Sequence, residues 1–450
     1  MGNATQPRHH LPEVSLTMPK WTNWSRSVQC RPFQIVCPED EAAVATALAS
    51  AHGDALPVRM VGAGHSYTPL VATSGTILSL DKLAGIISVD APAKRGTIRA
   101  GTRLHTLGEP LRARGLALLN QGDVDYQALA GALATGTHGT GITLRSLSGG
   151  ILGLRLVTPD GSILECDAVR EREVFRAARL HLGCLGAVTA ITLELRSAYR
   201  LRDETRVVPL EEGLAALPAL IRQHRHVECW WFPQADVIGI RTMTETEEPV
   251  NDRPVKRWIA EQVVDNGLFG LVAAISRLPG LAGARPWLSR IVARLAGVPP
   301  YVDWSYRVLA TARSVKANEM EYAVPAEQGP DAIRAVARYV RRVATPVLFP
   351  IEYRYVAADD IPLSPFYGRD SAVLSIHQDA RVSQEPYFGD VERILRDMGG
   401  RPHWGKLHSL SAAELEPLYK EWELFQRVRR RLDPSGKLMT PYLRQVLGEV

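Results

Sequence analysis

From about Arg31 to Arg196, short runs of alternating apolar and polar positions are interleaved with segments of helical spacing. Leu56–Val61 alternates and predicts a buried strand that ends in a glycine loop. Pro38-Glu39-Asp40-Glu41 ahead of Ala42–Leu48 predicts a capped helix start with an apolar face. Thr76–Asp81 and Thr97–Gly101 have strand character, and Leu104–Ala113 has helical character. Leu154–Cys166 predicts a hairpin turning at Pro159-Asp160-Gly161, and Gly186–Leu195 a long strand. Such a mixture is α+β.

The texture changes near Tyr199. Trp230-Trp231-Phe232-Pro233 opens an aromatic cluster. Trp258–Val298 is apolar and basic with helical spacing, broken at Pro279-Gly280 and near Pro286. Strand-like runs follow at Glu319–Val324 and Val347–Tyr355, and a helix is predicted over Ala412–Arg431. A second, sheet-containing domain is therefore expected after the first.

With 450 residues the chain is long enough for two or three domains with substantial cores. Its net charge of +5, from 53 basic and 48 acidic residues, is a weak bias without a basic stripe, so nucleic acid is not an expected partner. Five cysteines lack C-x-x-C pairing, which fits unpaired, mostly buried thiols in a reducing, cytoplasmic setting and no metal site. The first ten residues hold no apolar core and do not read as a secretory signal. No uncharged apolar run reaches about 18 residues, so no spanning helix is expected.

Four places carry candidate chemistry. In Val61-Gly62-Ala63-Gly64-His65-Ser66-Tyr67, small residues after a strand let the backbone approach a ligand, with a histidine at the apex. His65 reads either as a polar loop residue bonding its own backbone or as a nucleophile and covalent anchor. A second glycine-rich loop spans Gly131–Gly141, and two such loops suggest a large phosphorylated cofactor between them. Glu352-x-Arg354 puts both charges on one face of a strand, as a structural ion pair or as the lining of a polar pocket. Arg401–His408 packs His403, Trp404 and Lys406 together, and a lysine beside a cofactor stabilises developing negative charge. His377, on another apolar strand, reads as a satisfied core histidine or a site residue.

With these motifs in order, the chain resembles the vanillyl-alcohol-oxidase type of flavoproteins, and within it the sugar-1,4-lactone oxidase and alditol oxidase group. The resemblance covers about Pro32 to Leu447. It rests on Gly-Ala-Gly-His-Ser at 62–66, Ala-Thr-Gly-Thr-His-Gly-Thr-Gly at 134–141, Met-Glu-Tyr-Ala-Val-Pro at 320–325, Glu-x-Arg at 352–354, His-Trp-Gly-Lys at 403–406 and Leu-Asp-Pro at 432–434. It implies a two-subdomain FAD-binding domain over 27–198 after an N-terminal extension (1–26). An α+β cap over 199–400 covers the flavin, and a C-terminal segment (401–450) returns to the site.

The resemblance implies FAD bonded covalently through His65. Val61, Gly62, Ala63, Gly64, Ser66 and Tyr67 match one pyrophosphate loop. Gly131, Thr135, Gly136, Thr137, His138, Gly139 and Gly141 match the other. Gly122, Asp123, Ile191 and His403 match further cofactor contacts, Ile191 beside the adenine half and Gly122 at an oxygen gate. Glu352, Arg354 and Lys406 match catalytic residues. Asp123, Glu352, Arg354 and His377 match substrate contacts.

The implied reaction moves a hydride from a carbinol C–H to the flavin, with O2 or a cytochrome or quinone as acceptor. Met320–Pro325, Phe349–Glu352 and Asp123 favour a lactone over the alternative, an alditol or other polyol. A flavin-binding module without turnover is a further alternative, although the site residues are all present. Leu268–Val298, with Arg277, Arg285, Arg290 and Arg294, reads as cap helices with a solvated basic face, or as a surface for peripheral membrane association at the inner face.

Overall fold

The computed structural model describes residues 18–50, 56–233, 235–251, 300–311, 316–343, 347 and 349–449. The basic stretch within 252–299, with its two expected readings, lies outside the described residues.

Four sheets follow one another along the chain. Strands β1 (Trp21–Thr22) and β2 (Gln29–Cys30) form a small ribbon. Strands β3 (Gln34–Val36), β4 (Val58–Val61) and β5 (Thr76–Ser79) form a parallel sheet in the order β3-β5-β4. The helix Glu41–Ser50 is the crossover that carries the chain from β3 to the parallel β4 on the far side of β5, and it buries Val44 and Leu48.

Next come β6 (Ile86–Asp90), β7 (Arg95–Arg99), β8 (Leu116–Leu118), β9 (Ile151–Val157), β10 (Ile163–Asp167) and β11 (Ala187–Ser197). They pair antiparallel in the order β10-β9-β11-β7-β6, with β8 also on β11. The expected hairpin is β9–β10, and Gly161 takes φ +87° in its turn.

Strands β12 (Arg200–Pro209), β13 (His226–Phe232), β14 (Val237–Thr246), β15 (Tyr301–Trp304), β16 (Ala317–Pro325), β17 (Ile351–Val356), β18 (Ser371–Asp379) and β19 (Arg401–Pro402) build an eight-stranded sheet. Its order is β15-β12-β14-β13-β17-β18-β16-β19. Helices Leu210–Gln223, Gly329–Val340 and Tyr387–Asp397 cover one face, where Leu214, Leu217, Ile333, Val336 and Val391 join a single apolar core with Trp231, Tyr322 and Ile376. The opposite face is left for chemistry.

The C-terminal segment packs back into the core of the first half. Leu415, Tyr419, Trp422, Phe425, Leu443 and Val446 share one cluster with Leu78, Ile98, Leu154 and Ile191. The helix expected over Ala412–Arg431 is instead two, Ala412–Leu415 and Trp422–Leu432, joined through a 3-10 turn at Glu416–Leu418. Pro417 brings no N–H and its ring crowds the preceding turn, so one continuous helix is not available. The segment Leu104–Ala113 is likewise a 3-10 turn (Leu104–Thr106) followed by a short helix (Gly108–Arg112).

Candidate active site

Strand β4 delivers the chain into the loop 61–67. Gly64 takes φ +65° there, and a Cβ would come within 3.2 Å of the Trp21 ring. The loop lines a cleft with the stretch Gln127–Thr135 and with His181–Gly183, Gly186 and Val188. Open space lies beside Gly131, where an added Cβ would meet nothing within 4 Å. Beneath the cleft, Arg59 is fully buried and donates to four main-chain carbonyls: Leu70 at 2.7 Å, Leu182 at 2.6 Å, Gly183 at 2.7 Å and Leu438 at 2.9 Å. It ties the parallel sheet, the 182–183 turn and the C-terminal segment into one floor.

His65 stacks on Trp24, with centroids 5.4 Å apart and planes 19° from parallel. Its Nδ1 is buried without a hydrogen-bond partner among the described residues. Burial lowers its pKa to about 4, and the charges of Lys406, Lys316 and Arg103 push the same way against a main-chain contact at Ala63. The ring is therefore neutral, with a lone pair open to chemistry. An orphaned nitrogen beside a backbone-lined cleft is a donor set that fits FAD.

The second loop closes against the sheet. Ring nitrogen Nε2 of His138 lies 2.8 Å from Oε1 of Glu321, whose other oxygen accepts from Ser375 Oγ at 2.6 Å. His403 sits on the same cluster, its Nδ1 accepting from the Gly405 N–H at 3.0 Å, and burial lowers its pKa to about 4. His138, Glu321 and His403 could by spacing hold a metal ion, their ligand atoms lying within 4.8 Å of one another. The contact present is the direct hydrogen bond from ring to carboxylate. Gly139 is packed so closely that a Cβ would lie 2.3 Å from the Gln121 carbonyl.

Across the sheet, period-2 alternation puts a row of polar side chains on one face. Arg354 Nη2 lies 2.7 Å from Oε2 of Glu352, and Arg354 also binds Glu228. Lys406 is ion-paired with Glu319, and His377 Nε2 lies 3.5 Å from the same carboxylate. Burial alone would raise the pKa of Glu319, but Lys406 and His377 hold it well below the usual carboxylate range. Burial, with Asp123 and Glu352 near, raises that of Glu228 against the opposing pull of Arg354.

The structure thus brings Glu352, Arg354, Lys406, His377, His138 and His403 into one cluster on and beside a single sheet face. Arg354 pairs with Glu352, Lys406 and His377 share Glu319, and His138 lies beside His403; all but the half-buried Lys406 are buried. Tyr67 joins it: its N–H bonds the Gly405 carbonyl at 2.8 Å, and its ring lies under Lys406. Val61, Gly62, Ala63, Gly64, Ser66, Gly131 and Thr135 line the cleft, and Thr137 accepts from Gln127 at 3.2 Å. Gly136 and Gly141 are turn positions of positive φ. Gly122 packs on Thr137, and Asp123 accepts from Thr311. Ile191 is the exception. It is fully buried between Ile98 and Leu154, and Gly186 and Val188 from the same stretch line the cleft in its place.

Sequence reasoning missed Glu228, Glu319, Glu321 and Arg241. The signal for one pair was present, because Glu319-x-Glu321 alternates as Glu352-x-Arg354 does. Glu228 lay hidden at the start of an aromatic run.

Comparison with known proteins bears on what such a site does. The family model for D-arabinono-1,4-lactone oxidase matches residues 191–446, and that for an FAD binding domain matches 32–167. The chain is 39% identical to L-gulono-1,4-lactone dehydrogenase of Mycobacterium tuberculosis, over 96% of this chain and 99% of that one. It is 31% identical to L-gulonolactone oxidase of Bos taurus, over 95% and 98%. Alditol oxidase of a Streptomyces species is 32% identical, over 86% and 89%. In three dimensions the chain resembles cholesterol oxidase from B. sterolicum, with a TM-score of 0.79 at 16% identity over 99% of this chain and 100% of that one, a likeness of fold.

Proposed function

The chain belongs to the D-arabinono-1,4-lactone oxidase family of FAD-linked oxidoreductases, and we propose that it oxidises a carbinol of a sugar 1,4-lactone. The observation that carries this reading is the convergence of Glu352, Arg354, Lys406 and His377 on one sheet face, in a chain that also holds the cofactor cleft.

The residues of the loops 61–67 and 131–141 that line the cleft would hold FAD, which would supply the hydride acceptor. The chain's own groups do the rest. As the reacting carbinol carbon gives up hydride, its hydroxyl gives up a proton, for which the Glu352 carboxylate is the base at hand. The Arg354 guanidinium donates to that oxygen and stabilises the oxyanion character that develops as the proton leaves. Glu352 also accepts from a neighbouring hydroxyl and orients the ring of the lactone. Lys406, steadied by Glu319, would offer positive charge to the negative charge that a reduced flavin would carry. The buried network of His138, Glu321 and Ser375 keeps the wall beneath rigid and dry.

The neutral, orphaned Nδ1 of His65 supports a covalent bond to the flavin. Buried free thiols at Cys166, Cys184 and Cys229 support a reducing, cytoplasmic setting. Among the described residues no helix is long and apolar enough to cross a membrane.

The deciding experiment is anaerobic reduction of the purified protein with aldono-1,4-lactones and alditols, followed by air. Bleaching of the flavin by lactones is expected. Bleaching by alditols alone would move the assignment to polyols. Fast reoxidation in air identifies O2 as acceptor, and slow reoxidation identifies a dehydrogenase that passes electrons to a cytochrome or quinone.

A further inference from the structure

We propose that Glu228 is a positioning residue of this site, one that fixes the guanidinium plane of Arg354 and holds its contact with Glu352 to a single nitrogen rather than a bidentate pair. The proposal rests on the reading that Arg354 meets the substrate.

Strands β13 and β17 are neighbours in the sheet, with Glu228 directly opposite Arg354 and Trp230 opposite Glu352. Oxygen Oε1 of Glu228 takes two adjacent nitrogens of Arg354, Nε at 2.6 Å and Nη2 at 2.5 Å. Two bonds from adjacent nitrogens to one acceptor fix rotation about the end of the side chain. The same Nη2 reaches Glu352 at 2.7 Å, so the two carboxylates compete for one edge of the guanidinium. Without Glu228, the fork geometry of arginine favours a bidentate pair with Glu352, which would withdraw both groups from the substrate.

Glu228 is itself held from behind. Its Oε2 lies 3.7 Å from Nη1 of Arg241. Arg241 binds Asp203 through Nε at 2.9 Å and Nη2 at 2.6 Å, and donates to the Val308 carbonyl at 2.7 Å. Asp203, Arg241, Glu228, Arg354 and Glu352 therefore alternate in sign across four adjacent strands, β12, β14, β13 and β17. Each of these side chains is at most 10% exposed. Buried ion pairs contribute little net stability compared with apolar filling of the same space, so their consequence here is orientation. The ladder carries that orientation from β12, the strand beside the edge strand β15, to the reacting group.

The test is Glu228→Gln, which keeps shape and an acceptor oxygen but removes the charge, beside Glu228→Asp, which keeps the charge and shortens the reach. The limiting rate of anaerobic flavin reduction by a lactone is measured against reduction by dithionite, which uses no substrate hydroxyl. We expect both variants to retain FAD and the wild-type dithionite rate, and to lose about 10²-fold in the lactone rate. The lactone Kd should rise less than the rate falls. Lactone rates at the wild-type level in both variants would overturn the proposal, as would equal losses with lactone and dithionite. Arg354→Met run in parallel separates the two readings: an unchanged lactone rate there would remove Arg354 itself from the chemistry.

Discussion

The ammonium of Lys406 is ion-paired with the buried carboxylate of Glu319. This lysine, proposed above to serve the flavin, is thus held from the eight-stranded sheet, although it lies beyond the sheet's last strand. Its positive charge is positioned before substrate arrives, which is what electrostatic catalysis requires.

Lys406→Met should lower the limiting rate of flavin reduction by about 10²-fold, the usual effect of removing one such stabilising group. Stability should change far less, because Glu319 keeps His377 as a partner and can take up a proton. Adding Glu319→Gln should recover any lost thermal stability and leave the rate low. Stopped-flow reduction and thermal denaturation of both variants check this.

His65→Ala should leave a protein that binds FAD but releases it on acid precipitation, whereas the wild-type flavin should stay with the pellet. The supporting feature is the neutral, unpartnered Nδ1 stacked beside Trp24. Flavin that remains attached in the variant would assign the anchor to another residue.

Gly139→Ala should destabilise the protein by about 1–3 kcal/mol, as overpacking in a filled interior does. The added methyl would lie 2.3 Å from the Gln121 carbonyl and 2.4 Å from Asn120 Oδ1. The second loop would have to shift, so FAD affinity should fall together with the thermal midpoint. Flavin titration of the apoprotein measures the first, and differential scanning fluorimetry the second.

Stability should fall as pH drops from about 6.5 toward 4. Burial lowers the pKa of His65, His181, His403 and His408 to about 4, and that of His226 to about 3, from an ordinary 6.5. Between those limits the unfolded chain binds protons that the native one does not. Asp359, pushed up to about 6 by burial, works in the opposite direction, as do Asp125, Glu228 and Asp433, which burial also raises, but the five lowered histidines should outweigh them. Urea midpoints at pH 7 and pH 5 should therefore differ, with the lower midpoint at pH 5.

Much of the fold was legible because its signals are local. The run Leu56–Val61 followed by two glycines and His65 specifies a strand, a tight loop and an apex within a dozen residues. The hairpin at Pro159-Asp160-Gly161 is equally self-contained. The break at Pro417 was missed although its signal is local too: helical spacing on either side outweighed the missing N–H. Ile191 was misplaced for a different reason. A strand that borders a cleft also has a core face, and only the packing shows which residues turn to which side.

The sequence by itself determined the motifs, their order and the faces on which charges stand, because alternation in a strand is a property of the backbone. Only the tertiary structure decided which charges meet. Glu228 and Arg354 lie 126 residues apart, and His138 and Glu321 lie 183 apart. Glu228 and Arg354 meet because β13 and β17 are sheet neighbours, an order that chain sequence does not follow, and His138 meets Glu321 because the second loop closes against β16. Period-2 patterning assigns a side chain to a face but leaves its neighbour across the ladder undefined. That neighbour is selected by packing of whole strands, and with it the partner that aims each catalytic group.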